Sequence, residues 1–270
     1  QACALALGAV PVYLIARDRF SNPWMGLCLA VVYLFYAPVQ WISWAMFHPE
    51  ALVITPFLFA WWLATRERWG WYAAMVLLAL STREDTALAV IVLGLVLLVH
   101  LRRAPDRRTV RRMALGTVAV GALWYLVCAR IVLPYFNDGR EPFYITYFYG
   151  NYGSSMPEII ATMLRHPDRV VSDMVQHDRL VFYKQMSWPL GWVYLGNPLG
   201  LLMAVPQLLA SVIGLSPYAR MIRYQYTSVM IAPVFIASIH GAYAFWRFKV
   251  AKLLLPLWLV GCAYVSNVAW

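Results

Sequence analysis

The sequence Phe47-His48-Pro49-Glu50 decides the fold, because it is a polar island between two long apolar runs. Residues 24–46 carry no charged side chain, and neither do residues 51–64. A histidine and a carboxylate are costly to place in lipid, so we expect them where one membrane span ends and the next begins. Proline and a negative charge also suit the first turn of a new helix. The pattern predicts a helical membrane protein whose polar island lies at a water-filled face.

Two further islands interrupt apolar runs in the same way: Arg83-Glu84-Asp85-Thr86 and residues 220–226. The run before the first of these, residues 71–82, would form a helix of only about 18 Å, whereas the hydrocarbon core is about 30 Å thick. Residues 71–99 are therefore either one long span or a hairpin. A hairpin puts the bases on both of its flanks on one side of the membrane, so we predict the hairpin. We expect the three islands to face one cavity on the outer side.

Composition and charge support a membrane protein. Hydrophobic residues make up 62% of the chain and charged residues only 13%, far from the balance of a soluble domain. The predicted topology places 13 of the 22 bases but three of the 12 acids in the cytoplasm, which accounts for the whole net charge of +10. These bases are Arg17, Arg19, Arg66, Arg68, Arg102, Arg103, Arg107, Arg108, Arg111, Arg112, Arg247, Lys249 and Lys252. The positive-inside rule explains this charge, and we expect no nucleic-acid partner.

The remaining pattern completes an all-α, polytopic integral membrane bundle. Residues 134–186 are polar and aromatic and predict an outer-face loop with amphipathic helices. Residues 188–215 predict a short hairpin dipping into the bilayer, and residues 228–245 and 253–270 predict two more spans. We assign residues 1–270 to a single transmembrane domain. Because the chain begins and ends within apolar runs, we expect both ends to be truncated.

Candidate chemistry is confined to the polar islands. The sequence contains no GxxxxGK[ST], HExxH or GxSxG motif and no DxD metal motif, so soluble-nucleotide chemistry is not indicated. Glu50 with His48 forms either a general base or a divalent-cation site, or else a helix cap beside an interfacial histidine. Glu84 and Asp85 are either catalytic carboxylates paired with Arg83 or members of a structural ion-pair cluster.

The third island and the aromatic segment predict substrate contacts. Arg220 and Arg223 would share a helix face and hold a phosphate group beside Tyr224 and Tyr226, or would snorkel to lipid head groups. Tyr149 and Asn151 would contact a sugar ring or an isoprenoid chain, or would belong to an interfacial aromatic belt. Four isolated histidines are interpreted as structural: His100, His166, His177 and His240.

Four motifs together resemble a bacterial family of predicted membrane proteins, the domain of unknown function 2079. They are FHPEAL (47–52), REDTAL (83–88), YFYGNYGSS (147–155) and RYQY (223–226), and their order and spacing agree over nearly the whole chain. That family is similar to the GT-C superfamily of multi-spanning glycosyltransferases, which take sugars from polyprenyl-phosphate carriers on the outer face. GT-C enzymes usually carry a catalytic aspartate just after their first span, and no residue here matches it. We expect that residue upstream of this fragment.

The resemblance implies a plasma-membrane glycosyltransferase whose active face is extracytoplasmic. The implied partners are membrane lipid and a polyprenyl-phosphate-linked sugar, and the implied reaction is an inverting displacement on an outer-face acceptor. Glu50 and Asp85 would then act as the base or, if the upstream aspartate is the base, as metal or acceptor ligands. The alternative is a non-enzymatic transporter or flippase for lipid-linked sugars, or a membrane assembly scaffold.

Overall fold

The computed structural model describes residues 1–139 and 142–270, and every regular element in these two ranges is helical. The predicted all-α class is therefore confirmed for the described chain. Arg140 and Glu141, which the charge count places on the outer side, lie outside the described residues. The α-helices are α1 (Ala2–Leu7), α2 (Ala9–Phe20), α3 (Pro23–Leu34), α4 (Ala37–Trp44), α5 (Ile54–Thr65), α6 (Trp69–Leu80), α7 (Thr86–His100), α8 (Arg107–Val127), α9 (Leu133–Phe136), α10 (Phe143–Tyr149), α11 (Met156–Arg165), α12 (Pro167–Met174), α13 (His177–Ser187), α14 (Val205–Ile213), α15 (Ser228–Phe245) and α16 (Lys249–Ala269).

Three continuous helical segments of the described chain are long and apolar enough to cross a membrane. They are Arg107–Phe136, in which a π-helical turn joins α8 to α9, Gln225–Phe245 and Lys249–Ala269. Helices α3 and α4 would form a fourth span with a 47° bend at residues 35–36. Pro38, at the second position of α4, explains this bend, because it has no N–H to continue the helix to the Leu34 carbonyl and its ring crowds that carbonyl. The predicted spans at 228–245 and 253–270 correspond to α15 and α16.

Helices α6 and α7 form a hairpin rather than one long span. Trp61 lies near the end of α5, shortly before the turn into α6. The ring of His100, at the end of α7, lies 4.7 Å from the Trp61 ring. Helix α7 therefore returns to the level at which α6 began, and the polar residues 81–85 lie at the tip of the hairpin. The charge argument predicted this arrangement correctly.

The same geometry gives the bundle two chemically different ends. At one end, which we call the basic end, Arg66 pairs with Asp18 at 2.6 Å and the Arg19 guanidinium lies 4.1 Å from the centre of the Tyr243 ring. At the other end, the Glu50 end, the His48 backbone N–H donates to Gln1 Oε1 at 2.8 Å. Helices α2, α5, α7 and α15 run between these ends, so the described charges segregate as the sequence predicts.

The segment between α13 and α15 reaches further than predicted. Short 3-10 helices at Val193–Gly196 and Pro198–Ala204 pack along α15, with Gly200 against Ala237 and Gly196 against Gly241. Gly241 lies four residues before the end of α15, so the tip of this hairpin lies near the basic end. The prediction of a short dip is therefore wrong in depth. Glycine on both surfaces allows the close backbone approach that carries the chain so far along α15.

A small second core supports the aromatic segment at the Glu50 end. Ile145, Tyr152 and Ile159 pack with Val212 and Ile213 of α14. The apolar side chains of α11 and α12 that join this core recur at helical spacing, which confirms the predicted amphipathic helices. The Glu158 carboxylate fixes the chain that enters α11 by accepting from the Ser154 backbone N–H at 2.8 Å.

Candidate functional site

Glu50 lies at the start of a short 3-10 helix, Pro49–Val53, that leads into α5. Proline opens this helix because its missing N–H would be unpaired there in any case. His48 Nδ1 lies 3.9 Å from Glu50 Oε2, beyond hydrogen-bond distance. The Glu50 side chain is 19% exposed, so the carboxylate is at the edge of the protein interior rather than in bulk solvent.

Arg83 connects the first two polar islands. Its Nη1 lies 3.7 Å from Glu50 Oε1, and its Nε lies 3.2 Å from Asp85 Oδ2. Helix α6 ends just before it, and Thr82 fixes the turn by donating from Oγ1 to the Ala79 carbonyl at 2.7 Å. One guanidinium therefore holds two carboxylates from different parts of the chain.

Each of these carboxylates keeps an oxygen without a hydrogen-bond partner. Glu50 Oε2 and Asp85 Oδ1 are buried atoms that accept from no group in the described chain, and Asn151 Oδ1 is in the same condition. Buried polar atoms are nearly always satisfied, so unpaired acceptors mark a place for water, a hydroxyl or a cation. We call Glu50, Arg83 and Asp85 the carboxylate cluster.

Burial makes Asp85 an unusually strong base for a carboxylate. It raises the pKa of Asp85 to about 6, with contributions from the charges of Glu84 and Glu50, while the adjacent Arg83 opposes the change. The group is therefore mostly ionised at neutral pH, yet it accepts a proton more readily than an exposed aspartate. A general base needs this combination.

Aromatic side chains enclose the carboxylate cluster. Tyr226 is close enough to Arg83 and Glu50 for their charges to act on its hydroxyl, and its ring packs against Phe148 at 5.7 Å. Burial raises the pKa of Tyr149 to about 12, so this hydroxyl stays protonated as a donor. These rings offer flat apolar faces next to charged oxygens, an arrangement suited to a sugar or a lipid chain.

Glu84 points to a neighbouring part of the same surface. Its Oε1 accepts from the Tyr144 hydroxyl at 3.5 Å, a long contact at the limit of hydrogen bonding. Tyr144 belongs to the aromatic segment, as does Tyr149. This contact brings the aromatic segment to the second polar island.

Arg220 lies apart from the carboxylate cluster and is bound by the protein itself. Its side chain is buried, its Nε donates to Asp178 Oδ2 at 2.8 Å, and its Nη1 donates to the carbonyls of Ser211 and Gly214. Arg179 donates to both oxygens of Asp178 at 2.7 and 2.9 Å. The guanidinium of Arg220 therefore has few donors left for a ligand, and its contacts are those of a residue that fixes the fold.

Arg223 is exposed and has a different environment. Its guanidinium lies 4.3 Å from the centre of a Trp41 ring, which supports it from one side and leaves its N–H groups free of that contact. Tyr224 packs edge-on against Tyr218 at 5.4 Å. Arg220 ends a 3-10 helix, so the expectation that both arginines share one helix face is wrong.

No three His, Cys, Asp or Glu side chains come together as a metal site anywhere in the described ranges. His48 and Glu50 are the nearest approach to the predicted divalent-cation site, and they offer two protein ligands. A cation there would depend on water or substrate oxygens for the rest of its coordination.

Sequence reasoning missed two groups of polar residues. Asp178 and Arg179 had no motif that indicated pairing with Arg220. The histidines interpreted as isolated are not all isolated, because the rings of His100 and His240 lie 4.8 Å apart and both contact Trp61. Residues from three different helices form this group, and only the packing of α5, α7 and α15 brings them together.

Comparison with known proteins identifies one family. No curated protein and no solved structure shows significant similarity to this chain. A family model described as a predicted membrane protein matches residues 1–266, which is nearly the whole sequence. This match agrees with the apolar helices and with the four motifs that meet around the carboxylate cluster. The chain belongs to the predicted membrane protein family named domain of unknown function 2079.

Proposed function

We propose that this protein is a polytopic membrane glycosyltransferase of the GT-C type, which transfers a sugar from a polyprenyl-phosphate donor to an acceptor hydroxyl at the carboxylate cluster. The observation that carries the proposal is the pair of buried, unpartnered oxygens Glu50 Oε2 and Asp85 Oδ1 on either side of Arg83. A structural ion-pair cluster would be expected to satisfy these atoms. An acceptor hydroxyl would satisfy one of them by donating its proton.

The chemistry follows from the charges around the cluster. Glu50, Glu84 and Asp85 outnumber Arg83 three to one, so this surface favours a neutral hydroxyl or a cation over a phosphate group. In the proposed reaction Asp85 or Glu50 takes the proton of the acceptor hydroxyl as its oxygen attacks the anomeric carbon. The bond from that carbon to the phosphate oxygen breaks, and the carrier phosphate leaves with inversion of the sugar.

The donor phosphate would bind at the exposed Arg223 rather than at the protein-bound Arg220. Arg223 lies three residues before Tyr226, which flanks the cluster, so donor and acceptor sites would adjoin. Guanidinium groups bind phosphate oxygens in bidentate fashion, and the Trp41 ring would hold the guanidinium in place. The Glu50 end would face the outside of the plasma membrane, because the bases collect at the opposite end.

The first test is transfer by the purified protein, reconstituted in lipid with a short-chain polyprenyl-phosphate sugar labelled in the sugar. We expect the separate variants Glu50→Gln and Asp85→Asn to lower transfer by roughly 100-fold or more, as loss of a general base does. Asp168→Asn, an exposed carboxylate in the first turn of α12, is the matched control and should transfer at the wild-type rate. Transfer at the wild-type rate by both Glu50→Gln and Asp85→Asn would show that the carboxylate cluster is not the catalytic site.

The second test is native mass spectrometry for a co-purified polyprenyl phosphate. We expect a bound carrier in the wild type and in Arg165→Ala, an exposed arginine at the end of α11, but not in Arg223→Ala. A carrier retained equally by all three proteins would place the donor away from Arg223.

One observation favours the alternative function, a transporter or flippase for a lipid-linked sugar. The hairpin between α13 and α15 is made of short broken helices and runs between the two ends of the bundle, as the discontinuous helices of transporters do. The test is movement of the labelled saccharide across sealed vesicles. Movement without a covalent product would select the transporter, and product formation would select the enzyme.

A further inference from the structure

A cavity of about 430 Å³ opens at the basic end, at the opposite end of the bundle from the carboxylate cluster. Its volume falls in the range of small-molecule sites, roughly 300–1,000 Å³. It forms where the ends of α2 and α15 meet the start of α16 and the tip of the long hairpin. The lining residues are Arg19, Asn197, His240, Tyr243, Ala244, Trp246, Arg247 and Lys252.

The charged groups of this lining have one sign. Arg19, Arg247 and Lys252 carry three positive charges, and no carboxylate from the described part of the chain lines the cavity. None of the three makes an ion pair with any acid in residues 1–139 or 142–270. The nearby Asp18 is already bound by Arg17 and Arg66. Like charges around one cavity repel each other, so the arrangement is stabilised when an anion occupies it.

Aromatic rings hold these cations in position. The Arg19 guanidinium lies 4.1 Å from the centre of the Tyr243 ring, and Lys252 Nζ lies 5.9 Å from that of Trp246. A cation that rests on a ring face keeps its N–H groups directed to the sides. The donors are therefore available to a ligand without a large loss of side-chain freedom.

His240 supplies a buried polar group at the floor of the cavity. The residue is 7% exposed, and neither ring nitrogen has a hydrogen-bond partner in the described chain. Its ring is fixed by contacts with Trp61 at 5.6 Å and His100 at 4.8 Å. An unpaired buried imidazole costs stability, and a ligand oxygen in the cavity would accept from its N–H.

The positive-inside rule alone does not account for this site. That rule places bases in the loops at this end of the bundle, as it does for Arg107 and Arg108, but it does not require them to surround a cavity. Nor does it explain Asn197 at the hairpin tip or the unpaired His240. The long hairpin reaches this depth and completes the wall, which links the fold of this segment to the cavity.

We propose that the cavity at the basic end binds a phosphate-bearing anion, with Arg19, Arg247 and Lys252 on the phosphate oxygens and His240 and Asn197 as hydrogen-bonding partners. The ligand chemistry is common to a soluble phosphate ester and to the head group of an anionic lipid. This site is independent of the transfer reaction proposed for the carboxylate cluster.

The experiment uses the full chain in phosphatidylcholine nanodiscs and has two arms. In the first, inorganic pyrophosphate is titrated calorimetrically. In the second, phosphatidic acid is added to the nanodisc lipid, and its retention is measured by native mass spectrometry after release into detergent. Pyrophosphate binding identifies a soluble ligand, retention of phosphatidic acid alone identifies a lipid head group, and either supports the proposal.

The variant Arg247→Ala/Lys252→Ala removes two exposed side chains at the rim, so it should leave the fold intact. We expect it to weaken binding at least roughly tenfold, which is about 1.4 kcal/mol, because two cationic hydrogen-bond donors are lost. Arg107→Ala/Arg108→Ala removes the same charge at the same end without touching the lining and should bind as the wild type does. Lys252→Arg should also retain binding.

Two results would overturn the proposal. One is the absence of binding to the wild type in both arms. The other is equal weakening in the Arg107→Ala/Arg108→Ala control, because the effect would then come from the overall charge of this end. Neither result bears on the carboxylate cluster, whose variants Glu50→Gln and Asp85→Asn should bind the anion normally.

Discussion

At the scale of single residues, Asp85 couples the proposed chemistry to pH. Its pKa is raised to about 6 by burial and by the charges of neighbouring carboxylates. Below that value the carboxyl is protonated and cannot accept the proton of an acceptor hydroxyl. We therefore expect transfer to rise with pH up to about 6 and to level off above it. The check is the pH dependence of the transfer rate at saturating donor.

The raised pKa of Asp85 also determines the direction in which the stability of the protein changes with pH. A carboxyl that binds its proton more tightly when folded makes the protein more stable at low pH, and this contribution is lost as pH rises from 3.8 to about 6. Asp85→Asn removes this ionisation. The free energy of unfolding of the variant should therefore change less with pH over that interval than that of the wild type. A transfer rate that is flat across the same interval would exclude Asp85 as the base and leave that role to Glu50.

A substitution of Asp178 should change the stability of the protein without acting on the proposed transfer reaction. It is the shared partner of the buried Arg179 and Arg220, and Asp178→Asn would leave both guanidinium groups without a counter-charge. Because Asp178 is 48% exposed, water screens part of the loss, and we expect a decrease of roughly 1–3 kcal/mol in the free energy of unfolding. Thermal unfolding in detergent measures it, with Asp168→Asn as the control.

The pH dependence of this pair has the opposite sign to that of Asp85. Burial opposes ionisation of Asp178, but the hydrogen bonds from Arg179 and Arg220 outweigh it and hold the pKa of Asp178 below its usual value. Its stabilising contribution is complete above the unfolded value of 3.8 and is lost as pH falls through the folded value. The difference in the free energy of unfolding between wild type and Asp178→Asn should therefore become smaller at low pH. A constant difference would show that the carboxylate charge is not the cause.

Individual residues also mark the limit of what the sequence predicts. The carboxylate cluster was predictable because a charge between two apolar runs is too costly to expose to lipid, so it must lie at an end of a span or face a polar cavity. The ion pair of Arg220 was not predictable, because its partner Asp178 lies 42 positions away and no motif near either residue indicates the pairing. Charge that is exposed to a cavity and charge that is neutralised by packing look alike in a sequence.

At the scale of elements, the long apolar helices were predictable and the broken hairpin was not. Residues 228–245 were assigned as one span, and α15 has the same bounds, because length and hydropathy suffice for a continuous helix. The hairpin from 188 to 213 consists of short 3-10 helices interrupted by glycine and proline, followed by the α-helix α14. Its depth depends on close contact with α15, which leaves no periodic pattern in either segment.

Gly241 tests this contact. A Cβ at this position of α15 would collide with the Val193 carbonyl oxygen, a backbone atom that has no freedom to move aside. We expect Gly241→Ala to destabilise the protein by roughly 1–3 kcal/mol and to weaken anion binding at the hairpin tip. Gly261→Ala is the matched control, because a Cβ there meets nothing within 4 Å and the change only favours helix α16. Equal unfolding temperatures for the two variants would mean that the hairpin does not pack this closely.

At the scale of the whole molecule, the two ends differ in chemistry as well as in charge. The Glu50 end gathers carboxylates and aromatic rings from segments far apart in the sequence, and it suits a neutral hydroxyl or a cation. The basic end encloses a cavity lined by cations, and it suits an anion. The long hairpin spans the distance between them, and its 3-10 helices at Val193–Gly196 and Pro198–Ala204 pack against α15. A ligand at the basic end and an acceptor at the Glu50 end would therefore both contact elements that meet α15.

This polarity predicts the orientation of the protein in the membrane. In a background with Cys3, Cys28, Cys128 and Cys262 replaced by serine, Arg103→Cys would report on the basic end and Asp168→Cys on the segment that covers the Glu50 end. The positive-inside rule places Arg103 in the cytoplasm. We expect a membrane-impermeant maleimide to label Asp168→Cys in intact spheroplasts and Arg103→Cys only in inverted vesicles. Labelling of both from one side would mean that the bundle does not separate its charges across the bilayer, and the outer-face site would fail with it.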